Sequence, residues 1–228
     1  MEIYPEYSKP QLKTQLIFEI NSWIGRKFFY KSSIFSPPPQ PTEVPFLIDL
    51  GVGSNFIEGW THVDFFRNRI RKFWKKNPPK KLPEVETDLR FPLNCPSNVA
   101  SGVYSGHTLE HLYPEHAYQL LGEIFRILKP GCWLRINVPD IKLCIEYYNE
   151  KNSNFSYKFK VEAIGNYTQN WGHHSVWDSE ILSYALESQE FIKVKQVQFG
   201  KTGQDVRLIK EEDMRKYETL VMEAQKPK

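Results

Sequence analysis

Four histidines and an aspartate of this chain fall where loops should leave the ends of strands: His107 and His111, then Asp140, then the pair His173-His174. An imidazole titrates near neutral pH and can take up or release a proton there, so these positions are candidates for a general base. A second set consists of carboxylates and glycines: Asp49, Gly51, Gly53, Asp64 and Asp88. Gly51-x-Gly53 follows a short apolar run; with no β-carbon, the backbone there can turn at positive φ and admit a ligand close to the main chain. Asp64 and Asp88 each close a further short strand, at the edge where open parallel sheets bind ligands. The first set suits proton transfer and the second suits holding a ligand.

Each residue also has a structural reading. Glu110-His111 either works chemically or anchors the next helix, His107 either moves a proton or shapes the floor of a site, and Asp88 either meets a ligand or caps a turn. His173-His174 lie between Trp171 and Trp177, and aromatic faces beside polar groups suit a sugar or a planar hydroxyl. No second ligand pair at helical spacing accompanies these histidines, so no metal site is expected.

Short strands alternating with helices must position these groups. Phe46 to Leu50 is too short for a buried helix and reads as a strand covered on both faces. A second strand ends at Val63-Asp64, with NFIEGWTH leaving room for about one helical turn before it. A short third strand ends at Asp88, and Val99 to Ser105 forms a fourth. A helix follows, starting at Pro114, with Ala117, Leu120, Leu121, Ile124 and Leu128 on one face and a stop at Pro130-Gly131. Cys132 to Val138, Phe191 to Phe199 and Tyr217 to Ala224 supply three more strands, and Ile141 to Asn170 reads as a cap or as a surface helix with a long loop. Ahead of all this, residues 11 to 30 place Leu12, Leu16, Ile17, Ile20, Trp23 and Ile24 at helical spacing. That stripe packs on the domain, covers its cleft or, helped by Arg26, Lys27 and Lys31, docks on a membrane surface. Pro37, Pro38, Pro39 and Pro41 form a stiff linker, dividing a helical arm (1–41) from the main domain (42–228).

A dinucleotide fingerprint would need a third glycine where Phe56 stands, which weakens a nicotinamide reading. Asp49, Gly51-x-Gly53 and Asp64 instead resemble motif I and the ribose-binding acid of class I S-adenosylmethionine-dependent methyltransferases. The string YSGHTLEHLYPEHAYQLLGEIFRILKPGCWLRINVPD is similar to a bacterial methyltransferase group with an SSHxLEHL…RxLKPGG…VPD pattern, Cys132 replacing the second glycine of the turn. The resemblance implies a Rossmann-like α/β fold: seven strands, mostly parallel, the last antiparallel between the fifth and sixth, helices on both faces. It implies S-adenosylmethionine as cofactor, with Gly51 and Gly53 cradling its methionine part, Asp49 near the amino group, Asp64 on the ribose and Asp88 with Leu89 at the adenine. Ser105 to His107 would pass beneath the sulfonium. The implied activity is methyl transfer to an oxygen or nitrogen acceptor; by analogy with related enzymes a sugar hydroxyl in glycan synthesis is favoured.

Composition narrows the remaining classes. Three cysteines without CxxC spacing argue against a disulfide framework and suit reduced thiols in a cytoplasm. No apolar stretch is long enough to span a bilayer, and the N-terminus lacks the blocks of a signal peptide. A net charge of +3 does not by itself imply a nucleic-acid partner. The stretch from Phe65 to Lys81 nonetheless carries eight basic residues, no acidic ones and interleaved rings. It reads either as a solvated helix behind the second strand or as a dock for nucleic acid or another anionic polymer. The latter defines the rival function, a binding module that keeps the fold without turnover.

Overall fold

Two faces of one sheet carry opposite chemistry, and that contrast shapes everything around the site. The structure is a computed structural model and describes residues 11–38, 44–53, 55–66, 81–149, 159–168, 170–201, 203–211 and 215–228. Its seven strands are β1 (Leu47–Leu50), β2 (Trp60–Asp64), β3 (Val85–Glu86), β4 (Gly102–Gly106), β5 (Trp133–Pro139), β6 (Ile192–Gln196) and β7 (Thr219–Gln225), in the order β3-β2-β1-β4-β5-β7-β6. The first five are parallel. β7 inserts antiparallel between β5 and β6, as the family resemblance implied.

Alternation along each strand sends successive side chains to opposite faces. One face gathers Ile48, Leu50, Val63, Val103, Leu134, Ile136, Leu220, Met222 and Ala224. Against it pack helix α2 (Pro114–Ile127), through Ala117, Leu120, Leu121, Ile124 and Ile127, and helix α5 (Ser179–Glu187), through Leu182, Ala185 and Leu186. Each fully buried aliphatic side chain contributes roughly 1.5–3 kcal/mol, so this layer is the main stabiliser. The opposite face is polar: Asp49 stands beside His62 and Tyr104, Tyr104 beside Arg135, and Arg135 beside Glu223.

That polar face follows from the short connection between β1 and β2. The described residues there form turns and no helix. The room for about one helical turn within NFIEGWTH is filled by turns. The amides of Gly51 and Val52 both donate to the Val63 carbonyl, at 2.9 and 3.2 Å, and pull the link flat against β2. Helical residues rise only about 1.5 Å each, and this link is too short to return to a parallel neighbour through a crossover helix. The β6–β7 connection lies across the exposed face instead. Leu208, fully buried, approaches Leu47 and the bare Cα of Gly102. Arg135 is completely enclosed and pairs with Glu223 (2.6 Å) and Glu211, while Lys210 pairs with Asp49.

Helix α1 (Gln11–Phe28) also departs from expectation. Four residues of the stripe expected to pack inward, Leu16, Ile17, Ile20 and Trp23, are exposed instead, Leu16 by 62% and Trp23 by 53%. Ser22 and Gly25 face inward, Gly25 closing on the Phe66 ring, and Phe18 stacks on Phe65 at 4.4 Å. The rim that α1 covers is built from Asp88 and Arg90, so contact there selects small and polar residues. Helices α3 (Ile141–Tyr148) and α4 (Val161–Thr168) form a separate small cluster through Cys144, Tyr147, Ala163 and Tyr167. Pro39 and Pro41 of the linker, the side chain of Leu12, and the stretch 67–80 lie outside what the structure describes.

Candidate active site

Where β1, β4 and β5 end, a pocket of about 250 Å³ opens between the glycine turn and the β6–β7 connection. Asp49, Gly51, Gly53 and His107, four of the residues singled out by sequence, line it. Gly51 (φ 75°) and Gly53 (φ 57°) both adopt the left-handed conformation. They differ in surroundings: a β-carbon on Gly51 would strike the Thr108 hydroxyl, whereas one on Gly53 would enter open space. Thr108 is fixed by donating to the carbonyls of Leu50 (3.0 Å) and Gly106 (3.1 Å), so it buttresses the turn from below. Asp64 keeps its place beside the turn, since the glycine link bonds to the preceding residue, and its Oδ1 accepts from the Phe65 amide at 2.6 Å.

The pocket also holds residues that sequence reasoning missed: Asn137, Lys210, Arg215, Tyr104 and Phe199. Asn137 Nδ2 donates to the Tyr104 hydroxyl (3.0 Å), but its buried Oδ1 has no partner among the described residues. Its signal was a polar side chain inside the apolar run before Pro139. Lys210 carried none, since only tertiary folding brings it to Asp49. Its ammonium also lies 4.5 Å from the Trp60 ring and 5.1 Å from that of Tyr104. Burial drives both partners toward neutrality, raising the Asp49 pKa and lowering that of Lys210, and their mutual attraction opposes this.

His107 stands on the pocket wall at φ 49°. Its Nε2 contacts Thr219 Oγ1 at 2.9 Å and its Nδ1 contacts Glu110 Oε1 at 3.2 Å. Because the Thr219 hydroxyl donates its proton to the Arg215 carbonyl, Nε2 must be the donor to Thr219. The Nδ1–Oε1 line then carries one proton shared by His107 and Glu110. Glu110 is 1% exposed, and its second oxygen, Oε2, has no partner among the described residues.

His111 and His173 converge on that carboxylate, their rings edge-to-face at 5.0 Å. One ligand atom from each of Glu110, His111 and His173 lies within 4.8 Å of the other two. His174 turns aside and stacks on Tyr113 at 4.3 Å. Burial, the largest influence on each, holds the pKa values of His173 and His174 below that of a free imidazole.

Several anticipated roles do not survive the geometry. Asp88 is 2% exposed; Ser22 Oγ donates to it at 2.5 Å, and Arg90 reaches it through its backbone amide and guanidinium at 2.8–3.2 Å. Burial alone would raise its pKa, but the Arg90 and Ser22 hydrogen bonds outweigh that and hold it low. The carboxylate therefore fastens α1 and offers no face to an adenine. Leu89 packs on the core cluster. Ser105 points into the apolar layer, since it shares a face with Val103, and does not line the pocket. Asp140 caps α3 by accepting from the Lys142 amide at 2.9 Å. The anticipated tryptophan pair is split: Trp177 is buried with its indole donating to Ser175, and Trp171 is 80% exposed.

Residues 49–136 match the family model described as a methyltransferase domain. No curated protein matches the chain. Among solved structures, a S-adenosylmethionine-dependent methyltransferase from Archaeoglobus fulgidus is 17% identical, with 96% of this chain and 100% of that one covered and a TM-score of 0.51. A second, from Mesorhizobium loti, is 14% identical over 81% of this chain and 93% of that one, with a TM-score of 0.50. A Haloferax volcanii complex between the Trm112 methyltransferase activator and a methyltransferase gives 14% identity, 96% and 99% coverage and a TM-score of 0.50. At these identities the structures speak for the fold.

Proposed function

We propose that the chain is a class I S-adenosylmethionine-dependent methyltransferase, with S-adenosylmethionine as its cofactor, that methylates an oxygen or nitrogen acceptor, a sugar hydroxyl being the class we favour; the methyltransferase-domain match over residues 49–136 and the shared fold support this reading. The observation that carries this reading is the pocket itself, with Asp49, the two left-handed glycines, the unpartnered Asn137 oxygen and His107 around one space. These groups fit the cofactor. The Asn137 oxygen and the Asp49 carboxylate are acceptors suited to an ammonium, Arg215 suits a carboxylate, and the open side of Gly53 admits close approach to main chain. Asp64, at the end of β2, would take the ribose hydroxyls. Bound there, the cofactor supplies an electrophilic methyl on sulfur.

The protein's own task is to align the acceptor with that methyl and receive its proton. Among the described residues His107 is the one histidine lining the pocket. Backed by Glu110, it has the arrangement of a base with its orienting carboxylate. To serve as the base, His107 must first release to solvent the proton that Nε2 donates to Thr219; an acceptor hydroxyl that displaces Thr219 Oγ1 can then pass its own proton to Nε2 while Glu110 holds the proton on Nδ1. The rival binding-module reading rests on Arg67 to Lys81, a stretch the structure barely describes, and no observation favours it.

Isothermal titration with S-adenosylmethionine and its demethylated product is the test of the cofactor half. Both should bind, and Asp64→Ala should weaken binding by more than about tenfold, the loss of a charge-assisted hydrogen bond being worth roughly 1.5–3 kcal/mol. Unchanged affinity in that variant would remove Asp64 from the ribose site. Transfer of labelled methyl to acceptors, sugars first, then tests the chemistry. His107→Gln should lower kcat by about 10²–10⁴ with little change in product affinity.

A further inference from the structure

Three side chains from separate loops close around a single point beside the pocket. Glu110 and His111 follow β4, and His173 lies in the loop before α5, so nothing in their sequence spacing announces a shared site. Ligand atoms of the three lie within 4.8 Å of one another. The buried Glu110 Oε2 has no hydrogen-bond partner among the described residues, and leaving a buried carboxylate oxygen bare is costly. Both imidazoles, in contrast, are already oriented. His111 Nδ1 lies 3.3 Å from the Gly172 carbonyl and His173 Nδ1 lies 2.9 Å from that of Tyr167. A carbonyl only accepts, so each Nδ1 carries a proton, and Nε2 is the nitrogen left to bind a metal. Fixing the tautomer through a carbonyl on the far nitrogen is how metal-binding histidines are usually held.

We propose that Glu110, His111 and His173 bind one divalent transition-metal ion, which receives the acceptor hydroxyl. The donor set of two imidazole nitrogens and one carboxylate oxygen suits zinc, manganese, iron or cobalt and disfavours calcium and magnesium. Three protein ligands leave a coordination position open, as catalytic sites require. His111 is exposed, so that position is reachable from solvent. A coordinated hydroxyl loses its proton more readily, and the receiving atom is His107 Nε2 once the proton it donates to Thr219 has been released to solvent. The role assigned to the metal rests on the methyltransferase reading above; the site itself does not.

The test uses the full-length protein stripped with a chelator and titrated with cobalt(II) and zinc(II). One cobalt ion per chain should bind, giving a visible d–d band that zinc abolishes. His111→Ala and His173→Ala should each weaken metal binding by more than the roughly tenfold that losing even an outer partner costs. Both should bind the demethylated cofactor product with wild-type affinity, which establishes that they fold. His111→Gln, at an exposed position, is a second control for folding. No stoichiometric cobalt binding, or binding unaffected by both alanine variants, overturns the site. Metal binding as expected in a protein that binds neither cofactor nor product would leave the site standing and defeat the methyltransferase role assigned to it.

Discussion

Asp49, which we propose lies at the cofactor's amino group, also has a structural partner in Lys210. Their pair is almost wholly enclosed, and taking one member away leaves the other charge buried and unmatched. Lys210→Met is therefore expected to destabilise the protein by about 3–5 kcal/mol, read as a lower urea midpoint. Asp88 and Ser22 behave differently because their linkage is to pH. Asp88's folded-state pKa is depressed, so the stability it contributes is complete above its unfolded value of about 3.9 and is lost as pH falls through the lower folded value. Ser22→Ala should cost about 1–3 kcal/mol at pH 7. Urea unfolding of the two proteins should show a smaller gap at a pH below the depressed folded value than at pH 7, because Asp88 is then protonated and no longer needs that donor. An equal gap at both values would mean that the serine acts by packing alone.

At the scale of elements, the link between β1 and β2 gives its two glycines separable duties. Gly51 is boxed in by Thr108, while Gly53 borders open pocket. Alanine at Gly51 meets both the left-handed φ and the Thr108 hydroxyl, so it should cost well over the roughly 1–2 kcal/mol that φ alone exacts. Alanine at Gly53 should cost only about that 1–2 kcal/mol yet lower affinity for the demethylated product more than its small stability loss would suggest. Thermal melts with and without product separate the two effects. The period of α2 was legible because its buried residues obey one face. That of α1 misled for a physical reason: apolar spacing marks the face that can be buried, and which face is buried depends on what lies opposite. Opposite α1 lie Phe66, Asp88 and Arg90, which Gly25, Ser22 and Glu19 meet.

For the molecule as a whole, the β6–β7 connection does the covering that a crossover helix would otherwise do. It also supplies Phe199 and Lys210 to the pocket, with Arg215 close behind. Cover and the proposed cofactor pocket are therefore one unit, and ligand binding should stabilise both. Saturating the demethylated product at about 100 times its Kd should add roughly 2.7 kcal/mol to global stability. Amide exchange should slow in 203–211 as well as at the glycine turn. Protection confined to the turn would show that the connection is not coupled to the site.

The sequence by itself determined the strand and helix order, the antiparallel seventh strand through its family resemblance, the glycine turn and the likeness of residues 49–136 to a methyltransferase domain. These are local matters: periodicity, turn chemistry and a contiguous motif are written within a few dozen residues. Tertiary structure alone decided that Lys210 would meet Asp49, that Asp88 would hold α1, and that Glu110, His111 and His173 would share a point in space. Those outcomes depend on contacts between segments far apart in the chain, where burial and charge pairing choose the partner and no spacing records the choice.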